Sequence, residues 1–154
     1  MSNRDADLTL PALERAALRY LERYASSREN LRRVLLRRVA RLARNDEDAA
    51  EAARALVETL IARYVESGLL DDARYAEARA AGLARAGASR YRIRGKLLRK
   101  GVASEQIDDA IARLEERGEG SELAAACALI RKKRLGPYRS AAARAAARDK
   151  DLAA

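Results

Sequence analysis

The sequence predicts an all-α protein built from tandem three-helix repeats stacked as an elongated, curved array. Three observations predict it. Apolar residues recur every three or four positions along most of the chain, the period of a helix with one buried face. No stretch alternates apolar and polar residues with β-branched enrichment, and only two prolines and eight glycines interrupt 154 residues. The chain also matches itself at an offset of 62: Ser27 falls on Ser89, Leu31 on Ile93, Leu35 on Leu97 and Leu36 on Leu98.

The elements follow in order. Leu10, Leu13, Ala17, Leu21 and Tyr24 form the first stripe. Ser26 or Ser27 caps a second helix carrying Leu31, Val34 or Leu35, and Leu42. Asn45 or Asp46 caps a third, with Ala49, Ala53, Leu56, Leu60 and Tyr64, widened by Val57 and Ile61. Asp71, Ser89 and Ser104 cap the fourth, fifth and sixth; Ile107, Ala110, Ile111 and Leu114 mark the sixth. Gly68, Gly87, Gly101 and Gly118 stand where helices should stop. The division is a polar tail at 1–8, repeats at 9–68 and 69–118, and a partial third repeat at 119–154. The third starts at Ser121 with one helix through Arg134; Gly136-Pro137-Tyr138-Arg139 interrupts it, leaving too few residues for two more helices.

Charge supports the repeat. Residues 26–44 carry seven Arg and one Glu, residues 85–101 seven bases and no acid, and residues 131–148 again seven bases and no acid. Residues 45–84 and 102–122 are each net −5. Each unit thus reads as a helix, a basic helix and an acidic helix, within a net charge of +9. Arg33, Arg37, Arg41 and Arg44 share one face, with Arg28 and Arg32 nearby; Arg92, Lys96, Arg99 and Lys100 do likewise. Arg90, Arg94, Arg131, Lys132 and Lys133 complete the candidates. Such faces suit phosphate backbones, acidic protein grooves, or both. Tyr91, set among these arginines, is a candidate for base stacking; the other tyrosines lie on or beside apolar stripes and are expected in cores.

Several chemistries are excluded. The chain has no histidine, hence no Ser-His-Asp triad and no His-containing metal site. Its one cysteine, Cys127, forms no internal disulfide and is expected as a packed, inert thiol. Asp71-Asp72 and Asp108-Asp109 resemble metal-binding pairs, but adjacent helical residues diverge, and both are expected to serve their own helix starts. Gly95-Lys96-Leu97 lacks P-loop spacing and hydroxyl. No catalytic residue, metal or cofactor is expected. Neither a helix-turn-helix reader nor a membrane-surface helix fits as well, because Asn and Gln are scarce and Trp and Phe absent. The polar start Met1–Asp5 and a longest apolar run of only Leu123–Ile130 predict a soluble, cytoplasmic protein, expected to be monomeric.

Gly68-Leu69-Leu70-Asp71-Asp72-Ala73-Arg74-Tyr75-Ala76 resembles the hallmark of the RecX regulatory proteins, where a Gly-hydrophobic pair, two acids, an Arg and an aromatic open the second repeat. Ala17–Leu21 with Arg23 and Ser27, and Lys96–Val102, are also similar. The resemblance covers roughly residues 10–135. It implies tandem three-helix repeats and a non-enzymatic regulator that binds the RecA recombinase filament on single-stranded DNA, usually limiting its growth and activity. It implies a structural role for Gly68, Leu69, Leu70, Asp71, Asp72, Arg74 and Tyr75. Duplex DNA is an alternative target, and an autonomous DNA-binding module the alternative reading.

Overall fold

The computed structural model describes residues 7–118 and 122–139. Among them the secondary structure is helical, with no strand. The helices are α1 (Leu10–Leu21), α2 (Arg28–Leu42), α3 (Glu47–Glu66), α4 (Asp72–Arg85), α5 (Arg90–Arg99), α6 (Ser104–Glu116) and α7 (Glu122–Lys133), followed by a 3₁₀ turn at Gly136–Tyr138. The tail residues 1–6, Ser121 and the alanine-rich end from 140 lie outside the described residues.

Local chemistry sets most boundaries. Ser27, Asp46, Asp71 and Ser89 each accept a hydrogen bond from the backbone N–H three residues on. The expected Ser104 cap is corrected: Ala103 holds the cap position without a side-chain bond, and Ser104 is already the first helical residue. Gly68, Gly87, Gly101 and Gly118 have φ of 71–80°, the left-handed turn that closes a helix.

Two cores form. In the first, Leu13, Leu31, Leu35, Val57 and Leu60 are at most 1% exposed, with Leu8 and Leu70 at its edges. The second rests on Ile93, Leu97, Ile107 and Leu114, with Ala76, Ala80, Ala84 and Ala110 bringing α4 and α6 close together. On α2 the buried row is Leu31, Leu35 and Val39, and on α3 it runs through Ala50 rather than Ala49.

The charge alternation has a structural counterpart. Basic helices pair with the acidic helix of their own unit: Arg32 with Glu58 at 2.6 Å, Arg90 with Glu115 at 2.6 Å, and Arg94 with Asp108. Arg63–Glu14 and Arg113–Glu77 join the third helix of each unit to its first. These pairs are exposed and contribute little stability, but they favour one pairing of helices over others.

Candidate nucleic-acid and partner interface

α5 is short, and only Ile93 and Leu97 anchor it in the second core. Arg, Lys and Leu are good helix formers, so this basic segment stays helical with one buried edge. Its outward side carries Tyr91, 86% exposed, and Leu98, 46% exposed. Tyr91, Gly95 and Leu98 follow helical spacing, and with Arg92, Lys96 and Arg99 they line a shallow depression of about 380 Å³. An exposed apolar row rimmed by cations is a surface suited to a partner with apolar and anionic groups. Arg90 and Arg94 are tied to α6, and Arg94 also lines the depression. The Arg94 bond holds the Asp108 carboxyl below its ordinary range.

On α2, Arg37 and Arg41 are exposed and line a groove with Ala16, Tyr20 and Val34. Arg32 and Arg33 are engaged with Glu58 and Glu29. Arg33 also donates across to the Arg99 carbonyl at 3.0 Å, so the α2 and α5 rows approach each other at Arg33 and Arg99.

This junction is built from opposed helix ends. Ser27 donates its hydroxyl to the Lys100 carbonyl, and Lys100 Nζ donates to Asn30 Oδ1 at 3.0 Å. The negative end of α5 thereby meets the positive end of α2. A Cβ on Gly101 would overlap the Glu29 side chain, and its φ of 74° disfavours any other residue. Asp72 completes the joint. Its side chain is 7% exposed, and Oδ1 accepts the Arg28 backbone N–H at 2.7 Å. The expectation that both acids serve their own helix is corrected: Asp71 caps α4, whereas Asp72, one residue into α4 and pointing elsewhere, caps α2 of the neighbouring unit. Among the other hallmark residues, Leu70 is buried, Leu69 is half exposed, Arg74 is exposed, and Tyr75 packs on the second core. Burial raises the Tyr75 hydroxyl above its ordinary pKa, and nearby Arg79 opposes the shift.

Two further expectations are corrected. Only Tyr64 of the tyrosines is fully in a core; Tyr24 is 56% exposed, Tyr138 47% exposed, and Tyr20 and Tyr75 are half-buried. Helical period alone does not separate a core face from a junction face. Cys127 is exposed, because α7 turns Ala125, Ala128 and Leu129 toward Gly87. A Cβ there would sit 3.0 Å from the Leu129 nitrogen. At the end of α7, Arg131, Lys132 and Lys133 are exposed, with Arg131 donating to the Tyr138 hydroxyl at 3.0 Å.

Sequence reasoning missed Leu98, which the offset equates with the partly buried Leu36, and it missed Arg23 and Arg79 beside the junction. Among the described residues no cluster of three acids or thiols could hold a metal ion. No described helix is long and apolar enough to cross a membrane.

Two paired three-helix units with a cationic outer helix define an all-helical repeat protein in outline. Residues 71–111 match the family described as RecX, second three-helix domain. The chain is 44% identical to the regulatory protein RecX of Myxococcus xanthus over 92% of its length and 75% of that relative. It is 38% identical to the regulatory protein RecX of Ectopseudomonas mendocina over 65% of its length and 59% of that relative. No solved structure matches. The chain belongs to the RecX family.

Proposed function

We propose that this chain binds the RecA recombinase filament on single-stranded DNA and lowers its ATP turnover and strand exchange, as a cytoplasmic monomer without catalytic chemistry of its own. The observation that carries the reading, beside the family of regulatory proteins, is the outward face of α5. Tyr91 and Leu98 stand exposed among Arg92, Lys96 and Arg99, on the helix that the inter-unit contacts bring beside α2. The apolar pair suits a protein surface, and the cations suit DNA phosphates or acidic RecA side chains. Arg37 and Arg41 extend the basic surface along α2.

The test is DNA-dependent ATP turnover by RecA with this protein added at amounts well below those that coat the DNA. Suppression is expected. Unchanged turnover with folded protein overturns the proposal, and suppression only at DNA-saturating amounts favours an autonomous DNA binder.

A further inference from the structure

A second concave surface lies beside the joint of the two units. It is a groove of about 480 Å³ between α1 and α4, lined by Tyr20, Tyr24 and Tyr75 and by Arg23, Arg79 and Lys100. Among the described residues its lining holds three cations and no carboxylate. Arg23 and Arg79 are exposed, and neither is paired to a carboxylate among the described residues. The Tyr20 and Tyr24 rings stand 5.1 Å apart at 42°, so neither covers the other's face as in a closed stack. Tyr20 is held in place by the Asn30 side-chain amide, which donates to its hydroxyl at 2.9 Å; Asn30 is held in turn by Lys100. Tyr20 also lines the α2 groove of Arg37 and Arg41, so the two surfaces share a wall.

We propose that this groove binds an unpaired nucleotide of single-stranded DNA, its base stacked on Tyr24 and its flanking phosphates met by Arg23, Arg79 and Lys100. Every base has a π-face, so a tyrosine platform beside cations holds single strands without reading sequence. An acidic protein segment would satisfy the cations but leave the rings without a planar partner. The inference rests on the proposed action at single-stranded DNA and adds a site away from the outer face of α5.

The test uses the full chain and an oligothymidylate, without RecA, so that its failure is distinguishable from failure of the RecA reading. The chain has six tyrosines and no tryptophan, and Tyr20, Tyr24 and Tyr75 line the groove, so the part of the tyrosine emission lost in Tyr24→Ala reports it. Binding should quench that emission. Tyr24→Ala, at an exposed position, should weaken oligothymidylate binding by about 5- to 150-fold, the range of one missing base–aromatic stack. Tyr24→Phe should bind like the wild type. Blunt duplex of equal length should bind Tyr24→Ala and wild type alike, since its bases are already stacked. Arg23→Ala with Arg79→Ala should flatten the log–log salt dependence by about 0.7 for each phosphate that is no longer neutralised. Equal oligothymidylate affinity for wild type and Tyr24→Ala overturns the proposal. So does an equal weakening on single strand and duplex, which marks Tyr24 as structural. Weaker binding of polyglutamate by Tyr24→Ala, with oligothymidylate binding intact, overturns it in favour of an acidic protein segment.

Discussion

Leu36 packs against the first core, whereas Leu98, its counterpart 62 residues on, stands 46% exposed. Between the two units the helix order is the same and the amount of packing is not. α2 and α3 span 15 and 20 residues, α5 and α6 only 10 and 13. The first core is filled by large aliphatic side chains, the second contains many alanines. A short basic helix on a narrow core leaves its second apolar row uncovered. Both basic helices reach the joint, α2 by its start and α5 by its end, but α5 leaves Leu98 exposed where α2 packs Leu36.

Core truncation is the largest way to probe this difference. Leu35→Ala and Leu97→Ala, both 1% exposed, should each cost about 2–5 kcal/mol in chemical denaturation. One residue further along, Leu36→Ala should destabilise measurably and Leu98→Ala hardly at all. Equal costs at Leu36 and Leu98 would show that the outward row of α5 is covered in solution.

The joint comes next. Gly101→Ala meets both a left-handed backbone and the Glu29 side chain, whereas a Cβ on Gly118 meets nothing within 4 Å among the described residues. Gly118→Ala should therefore cost about 1–2 kcal/mol from backbone strain alone, and Gly101→Ala clearly more. Equal melting temperatures for the two variants would contradict the Glu29 contact. Asp72→Ala removes the cap of a helix in the other unit and should cost about 1–3 kcal/mol. Hydrogen exchange should then rise at the first turn of α2, foremost at the Arg28 amide that Asp72 accepts, and not at the start of α4. Asp71→Ala should give the reverse pattern.

The smallest effect is electrostatic. Arg94 lowers the Asp108 pKa, so the pair stabilises the fold above the ordinary carboxylate value and loses that contribution as pH falls through the lowered one. Both groups are exposed, and Asp108→Asn should lower the melting temperature only slightly at neutral pH, the difference shrinking as pH falls below the usual carboxylate value of about 4.

Much of the fold is written locally. Ser27, Asp46, Asp71 and Ser89 announce helix starts, and the four glycines announce stops, because caps and left-handed turns depend on one residue and its nearest neighbours. The basic helices were also legible, since charge blocks survive any three-dimensional arrangement. The joint was not. Asp72 reads as a helix-start acid because its partner N–H is 44 positions away, on Arg28. Tyr20, Tyr24 and Tyr75 read as core because a helical stripe looks the same whether it faces a core or a neighbouring unit. Several of the basic candidates have internal partners, which only the packing of α5 on α6 and of α2 on α3 reveals.

The outward face of α5 is tested most directly by RecA ATP turnover on single-stranded DNA in the presence of a Tyr91→Ala, Lys96→Ala, Leu98→Ala variant. Its buried Ile93 and Leu97 are untouched, so it should keep the wild-type circular dichroism and melting curve. If α5 carries the contact, this variant leaves RecA turnover unsuppressed at concentrations where the wild type suppresses it. Wild-type suppression by the folded variant would contradict that assignment.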